Sequence, residues 1–297
     1  MLPAALLVLS LGVSAAPTPA PAPASAPVPV LKPLPGTAID LRAVDGWVLK
    51  ATWQKAKEGR PTLLLLHGTG QRKEDWRLFA RALSRAGYGY MAVDMRGHGE
   101  SRTSPSGEVL TYKKLRATKL VNNYADMTRD AEAAVAYLAG QGVAEETIGV
   151  AGAEVGGSVG VKYAAVHSRS PFVIMLSPGL AWQEIPLVNA VRAFKGRNTT
   201  LLMVHSEKDK RSSKETPLLY AFAKNAVGER NTTLLVVPEE RGTRMLRMNK
   251  GLTDRILAWI ADPIAPEPPA VSTEAAAGVE TDTAPASGSE PDEGVAD

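Results

Sequence analysis

Residues 147–157 read Thr147-Ile148-Gly149-Val150-Ala151-Gly152-Ala153-Glu154-Val155-Gly156-Gly157. The apolar run over 147–151 suits a buried strand, and residues 156–167 carry the spacing of an amphipathic helix. Few residues separate the two, so the chain turns sharply around Glu154, with glycines at the crowded positions on either side. A strand feeding directly into a helix belongs to a sheet flanked by helices. In such sheets the loops beyond the carboxyl ends of the strands carry the ligand chemistry.

The same alternation extends outward in both directions. Strands are predicted at 39–44, 47–53, 62–67, 88–94, 147–151, 172–176, 200–205 and 233–237, and helices at 73–86, 124–140, 156–167, 186–194, 214–227 and 249–261. Continuous apolar runs such as Leu63-Leu64-Leu65-Leu66 and Leu201-Leu202-Met203-Val204 fit strands covered on both faces, as in a parallel sheet. The first two strands, joined at Asp45-Gly46, read as an antiparallel hairpin. The expected fold is a three-layer α/β/α domain over residues 37–262, with a mostly parallel sheet of about eight strands and an N-terminal antiparallel hairpin. No internal repeat interrupts it.

The flanks read differently. Residues 2–13 form an apolar run, which no Lys or Arg precedes, followed by Val13-Ser14-Ala15. This is the pattern of a signal peptide over 1–15, which implies a secreted or periplasmic protein. A run of about a dozen residues is short of the roughly 20 that span a bilayer, and no later segment is long and apolar enough to do so. Residues 16–36 alternate Pro with Ala, Val and Ser and read as a linker; residues 263–297 contain no aromatic residue and read as a disordered acidic tail. Formal net charge is +3, but eight acidic residues and no basic one follow Asp262, so without the tail +3 becomes +11. Cysteine is absent, which excludes disulfides, thiolate metal sites and a cysteine nucleophile.

Three further loops after predicted strands carry chemistry. They are Leu66-His67-Gly68-Thr69-Gly70, Asp94-Met95-Arg96-Gly97-His98-Gly99-Glu100-Ser101 and Ser206-Glu207-Lys208-Asp209. With Gly152-Ala153-Glu154-Val155-Gly156-Gly157, in that order and spacing, they make the chain resemble the α/β-hydrolase fold family, particularly its dienelactone-hydrolase-like and serine-aminopeptidase-like branch. The resemblance implies a nucleophilic serine at the turn of a GxSxGG motif, where this chain has Glu154. It places the triad acid at Asp209 and a histidine after the last strand, where Val237-Pro238-Glu239-Glu240-Arg241-Gly242-Thr243 puts Arg241. The oxyanion donors correspond to the amides of Thr69 and Val155.

Two of three catalytic identities are therefore replaced. Imidazole accepts the serine proton because its pKa lies near 6.5, whereas a guanidinium stays protonated. Gly156-Gly157-Ser158-Val159-Gly160 also matches GxSxG, but with Glu154 at the turn Ser158 falls one helical turn inside, where a small residue packs on the sheet. His67, His98, His167 and His205 each have an ordinary structural explanation. Glu154 and Arg241 are expected to form a salt bridge, with Asp209 approaching Arg241 from its other side. Lys113, Lys114, Arg116 and Lys119, with Lys208, Lys210, Arg211, Lys214, Arg244 and Arg247, are expected to form a basic rim suited to an anionic envelope ligand or small molecule. No aromatic platform accompanies these cations, so a nucleic-acid module is not indicated, and no cluster has metal-ligand spacing or calls for a cofactor. The expected protein is an exported α/β-hydrolase homologue that binds rather than hydrolyses; the alternative is an ester or amide hydrolase built on Glu154 or Ser158.

Overall fold

Leu63, Leu64, Leu65 and Leu66 are all fully buried, which places their strand in the middle of the sheet with helices on both faces. The computed structural model describes residues 33–167 and 169–262; the predicted signal peptide, nearly all of the predicted linker and the acidic tail lie outside the described residues. The strands are β1 (Thr37–Arg42), β2 (Val48–Gln54), β3 (Thr62–Leu66), β4 (Gly89–Val93), β5 (Ile148–Ala153), β6 (Phe172–Leu176), β7 (Ala181–Trp182), β8 (Ile185–Pro186), β9 (Thr200–Ser206) and β10 (Thr232–Val237). The helices are α1 (Arg77–Ala86), α2 (Thr128–Gly140), α3 (Val155–Val166), α4 (Val188–Arg192), α5 (Ser212–Val227), α6 (Met245–Met248) and α7 (Leu252–Ala261).

Eight strands form one sheet in the order β1-β2-β4-β3-β5-β6-β9-β10. β2 runs antiparallel to both β1 and β4, and every pairing from β4 to β10 is parallel. The two-residue side-chain period divides the core. Leu64, Leu66, Val150, Met175 and Met203 face α2, α3 and α5, while Leu63, Leu65, Ile174, Leu202 and Val204 face α1, α6 and α7. Each buried leucine stabilises the fold by roughly 1.5–3 kcal/mol, so both helical layers are held by apolar burial.

Differences from the sequence reading are local. The short hairpin β7–β8 and the single-turn α6 lack the length to show a period. Helices predicted from 73 and 124 begin as one-turn 3-10 segments, Lys73–Trp76 and Ala125–Met127. The last helix starts at Leu252 rather than 249 because Gly251 adopts φ +81°. The folded unit begins earlier than the predicted boundary at 37: Leu34 joins the core, and the Pro35 carbonyl accepts a hydrogen bond from the Tyr90 hydroxyl.

Two buried charge clusters fix the loop after β4. Lys73 donates through Nζ to Asp94 at 2.8 Å and pairs with Glu100, while Asp94 also accepts the Lys73 amide at 2.7 Å and the Glu100 amide at 2.9 Å. Gly99 is required beside them, since a β-carbon there would stand 2.1 Å from the Asp94 carboxylate. Arg96 joins Asp130 on α2, Nε to Oδ1 2.8 Å, to Asp45 in the β1–β2 turn, Nη1 to Oδ2 2.6 Å. Burial pushes the Asp130 carboxyl up to about 6, against the pull of Arg96.

Removing one partner of a buried pair strands the other charge in a low dielectric. Arg96→Leu is therefore expected to cost about 3–5 kcal/mol in urea denaturation. Lys50→Met, which breaks an exposed pair with Asp40, should stay within about 1 kcal/mol; comparable losses in the two variants would refute the assignment.

Candidate functional site

The site is built on the step from β5 to α3. Glu154 has φ +50° and ψ −117°, a conformation that L residues adopt at a cost of about 1–3 kcal/mol. What enforces it is proximity. A β-carbon at Gly152 would lie 2.3 Å from the Gly156 carbonyl oxygen, and one at Gly156 would lie 2.3 Å from that of Leu66. Glycine at both positions lets α3 start against the sheet, and the connecting residue must stand up at the strand end. The Glu154 amide is anchored to the Leu176 carbonyl at 2.9 Å, and its carbonyl accepts the Ser158 amide at 3.2 Å.

The Glu154 side chain is only 4% exposed and lies in a crevice between the β3 loop and the β10 loop. A β-carbon at Gly68 would meet its Oε2 at 2.6 Å, and one at Gly242 its Oε1 at 3.4 Å. Arg241 reaches over it with Nε 3.1 Å from Oε1, its own side chain 58% exposed. The contact is coulombic rather than directional: Oε1 has no hydrogen-bond partner among the described residues. Burial raises the Glu154 pKa, Asp209 raises it further, and Arg241 and Arg244 pull it down without restoring its ordinary value.

Asp209 does not complete the expected cluster. Arg241 pairs with Glu154 and makes no ion pair with Asp209 among the described residues. The Asp209 carboxylate turns toward the start of α5, where Oδ1 accepts the amides of Arg211 and Ser212, each at 3.3 Å, and Oδ2 is buried with no hydrogen-bond partner among the described residues. Asp209 and Arg241 still share a small cavity of about 280 Å³ with Lys208, Glu239 and Glu240. Val155 opens α3 and is fully buried; Thr69 follows Gly68, its hydroxyl accepting from Gln183 Nε2 at 3.3 Å.

Ser158 is fully buried inside α3 and its hydroxyl has no hydrogen-bond partner among the described residues. The histidines are engaged elsewhere. His67 Nε2 accepts the Met95 amide at 3.1 Å while Nδ1 meets the Gly68 carbonyl at 2.9 Å, and burial lowers its pKa. His98 Nδ1 meets the Arg96 carbonyl at 3.0 Å, and burial pushes its pKa down to about 3. His167 stacks on Tyr163 and lies 3.7 Å from Glu132; His205 Nδ1 lies 3.4 Å from the Ser206 carbonyl. The basic rim is partly neutralised: Arg211 pairs with Glu215 at 3.0 Å and lies over the Trp182 ring, and Lys208 pairs with Glu239.

Two residues absent from the sequence reading shape the crevice. Gln71 Oε1 accepts the Gly68 amide at 3.0 Å and the Thr243 hydroxyl at 3.2 Å, tying the two loops together. Ser177, at φ +52° beyond β6, accepts the Gly242 amide at 2.9 Å and so sets the loop that carries Arg241. Gln71 adjoins the glycine-rich turn and could have been suspected there. Ser177 carries no local signal.

The family model described as Serine aminopeptidase, S33 matches residues 57–238, a span that holds Glu154 and Asp209 and stops short of Arg241. Among solved structures, the esterase Pf2001 of Pyrococcus furiosus is 18% identical with a TM-score of 0.60, covering 76% of this chain and 91% of that one. The esterase EaEST from Exiguobacterium antarcticum is 16% identical with a TM-score of 0.54, covering 76% and 100%. Est1E from Butyrivibrio proteoclasticus, in a structure with ferulic acid bound, is 18% identical with a TM-score of 0.55, covering 75% and 96%. At these identities the likeness is one of fold. No curated protein matches the chain by sequence.

A strained residue with a buried carboxylate is a stability liability. Glu154→Gly is expected to raise stability by about 1–3 kcal/mol, read from the urea midpoint. Because the folded-state pKa of Glu154 is raised, the stability tied to its protonated form is complete below the ordinary carboxylate range and is lost as pH rises through the folded value. Glu154→Gln should remove that part of the pH dependence, and an unchanged profile would contradict the pKa assignment.

Proposed function

Since the chain belongs to the serine aminopeptidase S33 family of α/β hydrolases, we propose that it keeps the family's fold with its hydrolytic centre silenced and acts by binding rather than turnover. One observation carries this reading: the strained turn presents Glu154, whose carboxylate fills the crevice and is held by Arg241 at 3.1 Å. An acyl-transfer site needs a nucleophile, a base to take its proton and donors for the oxyanion. Here a carboxylate lies between Gly68 and Gly242, beside the Thr69 and Val155 positions that correspond to the oxyanion donors. The group beside it is a guanidinium that cannot accept a proton. Loss of triad members costs on the order of 10⁴–10⁶ in turnover.

The ligand class proposed is anionic, in keeping with the excess of cations between residues 37 and 262, and the place of action is outside the cytoplasm, in keeping with the apolar run at residues 2–13 and the absence of cysteine. No helix among the described residues is long and apolar enough to cross a membrane.

The raised pKa of Glu154 favours a second reading, a hydrolase in which that carboxyl is the general acid or base. Short-chain nitrophenyl esters and a fluorophosphonate probe separate the two. The binding reading expects neither turnover nor labelling in the wild type, and a gain of esterase activity in the double variant Glu154→Ser with Arg241→His. Wild-type turnover that disappears in Glu154→Gln would establish the hydrolase instead.

A further inference from the structure

A cavity beside the crevice does not include Glu154, Asp209 or Arg241. It measures about 640 Å³ and lies between the β3 loop (Gly70, Gln71, Arg72), the β4 loop (Gly97, His98, Gly99, Arg102) and the segment Thr111 to Lys113. That volume is in the range of small-molecule sites, roughly 300–1,000 Å³. Three cations line it, Arg72, Arg102 and Lys113, against one acid, Asp75. The acid's carboxylate accepts the Arg72 amide at 2.9 Å and keeps its charge, so the lining carries two cations in excess. Arg102 and Lys113 are exposed and enter no ion pair among the described residues, and the Arg72 guanidinium reaches Glu74 only at 3.8 Å.

Guanidinium and ammonium groups lining a concave wall are the chemistry that holds phosphate, through charge-assisted and bidentate hydrogen bonds. The wall is preassembled. The Gly97 amide donates to the Ser101 carbonyl and its carbonyl accepts the Tyr112 amide, both at 2.7 Å, and the Tyr124 hydroxyl donates to the Tyr112 carbonyl at 3.0 Å. The Tyr112 ring stacks on His98, with centroids 5.2 Å apart, and both residues line the cavity. His98 is neutral, so the positive charge of the site comes from the two arginines and the lysine alone.

We propose that this cavity is a binding site for a phosphate-bearing molecule, its phosphate held by Arg72, Arg102 and Lys113 and its body laid against Tyr112. The site narrows the anion-binding part of the proposed function to one place and is independent of whether Glu154 is catalytic. Phosphate of this kind reaches such a protein either as a free small molecule or as a lipid head group, and the cavity's concavity is suited to the free form.

Calorimetric titration of the full chain with pyrophosphate, alongside sedimentation with phosphatidylglycerol vesicles, tests the assignment. Saturable binding of pyrophosphate to the wild type is expected, weakened roughly tenfold for each charge reversed in Arg102→Glu and Lys113→Glu. Arg230→Glu, an exposed residue just before β10 at the opposite end of the sheet, should leave it unchanged. Both cavity substitutions are at exposed side chains, so folding is not at stake. Pyrophosphate binding that survives the Arg102→Glu/Lys113→Glu double variant would move the anion site elsewhere and leave the broader anion-binding reading standing. Absence of binding to either probe would remove both. Vesicle binding without saturable pyrophosphate binding would show a diffuse basic surface and overturn the cavity.

Discussion

The close approach of α3 to the sheet is the constraint on which the rest of the site depends. Gly152 and Gly156 let backbone meet backbone at distances no β-carbon tolerates, and the one residue between strand and helix that stands clear is forced to φ +50°. Apolar burial on both faces of the sheet holds that geometry against its strain. The turn is a device for lifting one side chain above the strand ends, and the fold keeps it whether the side chain is a nucleophile or not.

With glutamate at that point the electrostatics invert. A hydroxyl would have been neutral and small; a buried carboxylate must find a cation or take up a proton. The chain does some of each, since Arg241 pairs with Glu154 while burial still raises its pKa. The cation is half exposed, and the pair lacks hydrogen-bond geometry. The coulombic gain is therefore screened from outside, which is why Glu154 is not brought back to an ordinary carboxylate. Asp209 faces α5 instead, its Oδ1 bonded to helix-terminal amides.

Much of the fold was legible because hydrophobic period is a local property. Leu63-Leu64-Leu65-Leu66 and Leu201-Leu202-Met203-Val204 announced strands covered on both faces, and Asp45-Gly46 announced the hairpin, as the sheet bears out. Elements of two to four residues, β7, β8 and α6, left no period to read. The boundary at Leu34 was obscured because a proline-rich stretch reads as linker, although one leucine within it packs into the core. At the site, the sharp turn at Glu154 was plain from the glycines around it; the tie that Gln71 makes between two loops was not.

From the residues alone came the α/β layering and the position of the sharp turn, because periodicity and glycine placement are properties of short segments. Tertiary structure decided which charges meet. Arg241 pairs with Glu154 and not Asp209, and Arg72, Arg102 and Lys113 line one cavity, because partner choice depends on how loops distant in sequence are held by Ser177, Gln71 and the buried Asp94 cluster. Coulombic contacts between such loops act across space, and no local pattern encodes the distances that set them.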